Sequence, residues 1–312
     1  MTFTPATDLA AQLVEALNDL HGVHPGHRAA HAKGVCCAAA FTATTEASRL
    51  TRAPHMQGAP VPATVRFSNG SGSPTRHDGA RDGRGMATKF HLHGGEVTDI
   101  VALTLPVFFV RTPEDFLAFT RAQRPDPDTG KPDFARVEEF VAAHPEIQTA
   151  LGFAMFVEPP ASYARCRYFA IHAFKWIAAD GTERFVRYRW EPESGEATIT
   201  EEESRRRDRH YLRQELTERL AGGPIVFTLH LQLADEDDDP TDPTAMWPDE
   251  REVVLAGRLE VTALVDDQEA GCERLIFDPT RVIDGIECSD DRILYARPHA
   301  YSVSYERRTA TR

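Results

Sequence analysis

Tyr301 stands in the run Arg297-Pro-His-Ala-Tyr301-Ser-Val-Ser-Tyr305-Glu-Arg-Arg308. Pro298 suits the first turn of a helix, where its missing N–H costs nothing. A helix running from there puts Arg297, Tyr301, Tyr305 and Arg308 at i, i+4, i+8 and i+11, close to one face. Guanidinium groups one turn from a phenol favour its ionised form, and a phenolate is a hard anionic ligand. Taken alone the face says little, because a tyrosine near the end of a chain is ordinarily a packing residue. About 270 residues earlier lies a second set, His27-Arg28-Ala-Ala-His31-Ala-Lys-Gly34, followed by Arg66-Phe-Ser68. A neutral imidazole is a proton acceptor at pH 7, and a nearby hydroxyl can fix its orientation. His31 is one of 13 histidines, so by itself it reads as an ordinary polar residue.

The order of these runs changes that reading. Together they resemble three signatures of the haem catalases, collinear from about residue 24 to 308. The resemblance puts His31 in the place of the distal histidine and Ser68 in that of the serine bonded to it. Arg28 and Arg66 take the places of arginines that hold the haem propionates, with Arg308 as a further carboxylate partner. Tyr301 takes the place of the proximal ligand to the iron, with Arg297 as its charge partner. Pro106-Val-Phe-Phe-Val-Arg111, with Phe116 beyond it, is similar to the segment that lays an aromatic ring against the porphyrin, here Phe108. Asp82 matches an acidic residue of the substrate channel. One position departs from the pattern. Leu103 stands three residues before Pro106, where catalases carry an asparagine beside the distal histidine, and leucine cannot hydrogen-bond peroxide. Ala30 is smaller than the valine usual there, which implies a roomier pocket.

Composition narrows the partners. A formal charge of −13 argues against nucleic acid or an anionic membrane, since either needs a basic face. No apolar run is long enough to span a bilayer. The first residues carry no basic stretch followed by an apolar one, so a cytoplasmic setting is expected. Five cysteines are an odd number, and adjacent Cys36 and Cys37 cannot easily bridge each other. Reduced buried thiols are therefore expected.

The elements that must position the site are partly readable. Leu9, Leu13, Val14, Leu17 and Leu20 fall at helical spacing within 8–21, and Gly22 ends that helix. β-Branched and aromatic stretches predict strands at 62–68, 85–93, 98–110, 165–178, 183–192, 224–234 and 252–265. Ala179-Asp-Gly181 is a hairpin turn between two of them. Residues 113–157 read mainly as helices, 201–221 as one polar helix, and 70–84 and 235–250 as loops. His91 and His93 alternate along a predicted strand and read as a polar face. The acidic run Asp235–Asp239 lacks the spaced ligands and central glycine of a calcium loop.

Strands in two groups separated by helices suggest an antiparallel barrel in an α+β chain. The resemblance implies the same: a catalase-like eight-stranded antiparallel β-barrel with flanking helices and a buried haem b. It also implies a single haem-binding domain over 1–312, without the wrapping segment or flavodoxin-like C-terminal domain of large catalases, and so closer to the short catalase-related peroxidases than to those. The expected activity is reduction of hydrogen peroxide or organic hydroperoxides by a small organic reductant, with weak catalase activity. The substitution at Leu103 moves the balance from disproportionation toward peroxidase chemistry. Self-association into a homo-oligomer is left open. Two other readings compete. One is a haem enzyme that rearranges or dehydrates fatty-acid hydroperoxides, as allene oxide synthases do. The other is a zinc site built from His24, His27 and His31.

Overall fold

The computed structural model describes residues 6–126, 129–131 and 133–310. In chain order the elements are α1 (Ala6–His21), β1 (Gly34–Ala43), α2 (Thr45–Leu50), β2 (Val61–Asn69), β3 (Arg84–His91), β4 (Val97–Leu103), α3 (Pro113–Ala122), α4 (Phe134–Ala143) and α5 (Ile147–Met155). They continue with β5 (Tyr168–Ile177), β6 (Glu183–Pro192), α6 (Glu201–Arg206), α7 (Tyr211–Ala221), β7 (Ile225–Leu233), β8 (Val253–Leu264), β9 (Ile286–Cys288) and α8 (Arg292–Ala310). Strands β1 to β8 pair antiparallel in the order β4-β3-β2-β1-β8-β7-β6-β5, and a β4–β5 bridge closes the barrel. Short β9 adds to β5.

Alternation explains the closure. Along β7, Ile225, Phe227, Leu229, Leu231 and Leu233 are buried, and the residues between them are partly exposed. The barrel interior is aromatic: Phe41 packs edge-on against Phe90 at 5.2 Å and Trp190 at 6.0 Å. Gly257 makes this possible, because a Cβ there would lie 2.3 Å from the Phe41 ring. On β2, Val65 and Phe67 join this core, so Arg66 and Ser68 project from the opposite face. The register then carries the site. Ser68 pairs with Gly85, Gly85 with Leu103, and one step along Arg66 pairs with Ala87 and Ala87 with Val101.

Several sequence expectations need correction. Strand β1 was missed because its Val-Cys-Cys-Ala-Ala-Ala core is poor in residues of high β propensity. Small side chains suit a central strand whose neighbours fill the space. Strand β4 stops at Leu103 rather than 110. Pro106 cannot donate to a ladder, and the phenylalanines beyond it leave the barrel to pack with Phe119, Phe140 and Ile293. The helix at 201–221 is two, broken by extended Arg207. Helix α8 begins at Arg292, six residues before Pro298, because Asp291 Oδ1 accepts from the N–H groups of Ile293 and Leu294. Pro298 therefore sits inside the helix. His93 lies in a turn after β3, so it shares no strand face with His91. Cys36 and Cys272 are joined in a disulfide, with Cα atoms 5.4 Å apart across 236 residues. Adjacency on a strand sends Cys37 into the barrel and Cys36 to the outer face, where the turn carrying Cys272 meets it.

Candidate active site

A cavity lies between the outer face of β2–β4 and helices α1 and α8. Ala30, His31, Arg66, Ser68, Leu103, Phe108, Phe116, Arg297, Tyr301 and Arg308 all line it, together with Arg28. Its volume is about 230 Å³. One water needs roughly 10–15 Å³ of such space, so the cavity suits a group much larger than a peroxide. Apolar walls come from Leu13, Val14 and Leu17 of α1, which is what its helical spacing is for. Phe108 stacks on Phe109 at 4.2 Å and meets Phe116 edge-on at 5.5 Å.

His31 and Tyr301 both border this cavity. The backbone of His31 has φ +55°, a strained conformation for a residue with a side chain. Three contacts hold it. His31 N–H donates to Gly70 O at 2.9 Å, its carbonyl accepts from Arg66 Nη2 at 3.0 Å, and Nδ1 meets Ser68 Oγ at 3.0 Å. Gly85 leaves room for the ring, since a Cβ there would sit 2.7 Å from Ser68 Oγ and 3.0 Å from the imidazole. Burial, and then the charge of Arg66, push the imidazole down to about 3, so it is neutral at physiological pH. Because the folded value lies below that of the unfolded chain, His31 weakens stability as pH falls from 6.5 toward 3 and costs nothing above that window. The rate of reaction with peroxide should accordingly show no inflection near pH 6.5. An inflection there, lost in His31→Gln, would mean that the imidazole titrates as it does in water.

Helix α8 supplies Tyr301 and, one turn earlier, Arg297. Arg297 Nε donates to Tyr301 Oη at 2.7 Å, and Nη1 donates to His172 Nε2 at 2.8 Å. His172 Nδ1 in turn donates to Asp291 Oδ2 at 2.6 Å, with both side chains about 1% exposed. Burial lowers the His172 pKa, against the opposing pull of Asp291. Asp291 both caps α8 and anchors this chain, so the cap fixes the direction of Arg297. Tyr305 does not line the cavity; the guanidinium of Arg308 lies 5.0 Å over its ring.

The third feature is a cationic edge. Arg28 Nη1 pairs with Glu273 at 2.5 Å and Arg66 with the same carboxylate at 3.6 Å. Arg28 also donates to Leu275 O at 2.9 Å, and Arg308 reaches that carbonyl at 3.3 Å. Burial, followed by the charge of Arg66, pushes Arg28 down to about 9. Burial, followed by Arg28, pushes Arg308 down to about 10. Three guanidiniums thus face one carboxylate, and the buried Nε atoms of Arg66 and Arg308 have no partner among the described residues. Asp82 lies off the cavity wall. Its carboxylate accepts from Ser71 N–H at 2.8 Å, and burial raises its pKa.

A family model described as Catalase matches residues 9–312. This chain belongs to the catalase family. A protein named "Catalase-related peroxidase" from Mycolicibacterium paratuberculosis is 41% identical over 299 residues, covering 96% of this chain and 94% of its own length. Another of that name from Synechococcus elongatus is 37% identical over 298 residues, covering 96% and 88%. "Catalase-2" of Bacillus subtilis is 31% identical over 88% of this chain but only 43% of itself.

As a catalase-family member the chain is an oxidoreductase acting on peroxide, and the family implies haem. The cavity fits such a group. Its cationic edge has spare N–H donors and excess positive charge, which is what a pair of haem carboxylates would satisfy. Its walls are apolar and aromatic, and a phenol oxygen borders it on α8. Sequence reasoning did not single out His172, Asp291 or Glu273. An aspartate just before a helix is a capping signal that could have exposed Asp291. Nothing local distinguishes the other two. A zinc cluster of His24, His27 and His31 is not formed: among the described residues no three metal-binding side chains converge, and His24 Nε2 bonds His21 O at 3.0 Å.

Proposed function

We propose that this catalase-family protein is a haem b peroxidase that reduces hydrogen peroxide, or an organic hydroperoxide, with electrons from a small organic donor, and that its catalase activity is weak. The observation that carries this reading is a neutral, tethered imidazole and a guanidinium-bonded tyrosine lining one cavity that ends in a cationic edge. Tyr301 would hold the iron. Arg28, Arg66 and Arg308 would hold the carboxylates, and Phe108 and Phe116 would pack against the ring. The bound group supplies the redox centre at which the O–O bond of peroxide is cleaved.

The chain's own residues supply the proton path. With Nδ1 donating to Ser68 Oγ, His31 presents Nε2 as its basic atom. That nitrogen accepts the proton from one peroxide oxygen and returns it to the other, which leaves as water or an alcohol. Arg297 directs an N–H at the Tyr301 oxygen and is itself held by His172 and Asp291. Overall, one hydroperoxide and two donor molecules give an alcohol or water, a second water and two donor radicals. The names of two relatives, "Catalase-related peroxidase", support the peroxidase half of this reading. The test is a visible spectrum of the purified protein, then donor oxidation and oxygen release measured at equal haem. A protein without haem, or one that releases oxygen and oxidises no donor, would sink it.

Leu103 sets the balance. It lines the cavity directly opposite Gly85, against which the His31 ring lies, and offers only methyl groups. Releasing oxygen requires a second peroxide to be held and oriented, and an amide there could do so. One hydrogen bond to the reacting group is worth roughly 0.5–1.5 kcal/mol, about three- to tenfold in rate. Leu103→Asn should raise oxygen release relative to donor oxidation by about that factor. An unchanged ratio would remove Leu103 from this role.

A further inference from the structure

One short stretch of chain holds the cationic edge together. Arg28 donates to Glu273 at 2.5 Å, to Cys272 O at 3.1 Å and to Leu275 O at 2.9 Å, and among the described residues its guanidinium has no other hydrogen-bond acceptor. Arg66 meets Glu273 at 3.6 Å, and Arg308 reaches Leu275 O at 3.3 Å. All three arginines therefore lean on residues 272–275. That stretch ends a turn that is largely exposed, with Asp266, Asp267, Glu269, Ala270 and Arg274 facing solvent. Gln268 fixes the first half of the turn to β1: it accepts from Cys36 N–H at 2.9 Å and donates to Cys36 O at 2.8 Å. The link from β1 to the second half is the Cys36–Cys272 bridge. We propose that Cys36 and Cys272 are a dithiol that peroxide oxidises, and that its closure sets the carboxylate edge and so how tightly haem is retained. The proposal rests on the haem reading above and goes beyond it, because it makes the hold on the cofactor depend on the redox state of two residues outside the cavity lining.

Two observations favour a working dithiol over a fixed staple. The sulfur pair packs with Ala87, Val101, Leu275 and Phe277, and these four side chains also line the active-site cavity. The pair thus sits one side-chain layer behind the space where peroxide reacts. On its other side the turn belongs to no strand ladder, so it can open to a reductant in solvent while the barrel stays closed. In the oxidation, one thiolate attacks a peroxide oxygen, the O–O bond breaks and one water leaves. The second thiol then displaces the oxygen from sulfur as a second water and forms the S–S bond. Two thiols and one hydrogen peroxide give one disulfide and two waters. A small dithiol reverses this by exchange, becoming a cyclic disulfide as both cysteine thiols return. With the bridge closed, Arg28 and Arg308 are ordered before the cofactor arrives. With it open, residues 272–275 can withdraw, Arg28 loses its three acceptors, and the haem carboxylates must order the guanidiniums themselves.

The test compares haem-loaded protein as oxidised and after dithiothreitol, the reductant being removed by desalting. Thiols counted after acid quench and denaturation should number three in the oxidised chain, Cys37, Cys166 and Cys288, and five in the reduced one. Haem loss, followed by transfer to excess apomyoglobin, should be at least about tenfold faster from the reduced protein, with an unchanged far-ultraviolet circular dichroism spectrum. One equivalent of hydrogen peroxide should return both readings to those of the oxidised form. Cys272→Ser should lose haem at the fast rate whether treated or not, and Cys288→Ser, outside the bridge, should behave as wild type. Reduced wild type gives the same comparison if Cys272→Ser does not fold. A bridge that dithiothreitol does not open in the folded protein, equal rates of haem loss in the two states, or loss of the fold on reduction would each overturn the proposal and leave the haem reading standing. Protein that takes up no haem in either state would overturn the haem reading, and the proposal with it.

Discussion

Tyr301→Phe should lose haem. The substitution keeps the ring and its packing on α8 and removes only the oxygen that Arg297 Nε contacts at 2.7 Å. Phenylalanine offers no ligand atom, so the cationic edge and the apolar walls alone would retain the cofactor. Even ~1.4 kcal/mol of lost binding is about tenfold in affinity, and a metal–oxygen bond should be worth more. The fold should persist, at some cost. Arg297 Nε is left partly buried without its acceptor, a penalty of about 1–3 kcal/mol. Nη1 remains held by His172. The measurements are haem content per chain and the visible spectrum after purification, with thermal unfolding as the control for folding. Unchanged haem content and spectrum would take Tyr301 out of the site. A protein that fails to fold would show in the unfolding trace, and Arg297→Met would then ask whether weakening the oxygen's partner shifts the spectrum by itself.

His31→Ala should do the reverse: keep the haem and lose the chemistry. The imidazole approaches the cavity from the β2–β3 side, whereas Tyr301 approaches from α8, so removing one leaves the other in place. Loss of a positioned acid–base typically slows proton transfer by ~10²–10⁴-fold. The first reaction with peroxide, followed by stopped flow on the haem spectrum without donor, should slow by that factor. Exogenous imidazole should restore part of the rate, because the substitution vacates the space that the ring fills beside Ser68 and Gly85. Near-normal reactivity in His31→Ala would mean that another group moves the proton. The strained backbone at residue 31 adds a second readout, since alanine relieves no hydrogen bond to Gly70 or Arg66. Buried Ser68 Oγ does lose its partner, so thermal unfolding of the variant, read beside the rate, separates a folding defect from loss of the ring.

The two predictions differ in how legible their residues were. Arg297 and Tyr301 are one helical turn apart, so the sequence determined their contact by itself: helix geometry brings i and i+4 together wherever the helix begins. That is why misplacing the start of α8 at Pro298 did no damage to the pair. The same locality made the apolar stripe of α1, the alternating strands and the acidic loop at 235–250 readable. His31 and Ser68 were paired through a family resemblance, and their spacing alone would not have joined them.

Tertiary structure decided the rest, because nothing local records which strand lies beside which. His172 and Asp291 reach Arg297 only after β5 and α8 meet at the edge of the closed barrel. The carboxylate of Asp82 meets Ser71 N–H because the loop at 70–84 folds on itself. Cys36 and Cys272, read as free thiols, lie 236 residues apart and meet because barrel closure puts the outer face of β1 beneath the turn at 269–273. The same turn carries Glu273 to Arg28 and Arg66. Periodicity in a sequence encodes what a residue faces within its own element; the partner across the barrel is fixed by register and closure, which depend on the whole chain.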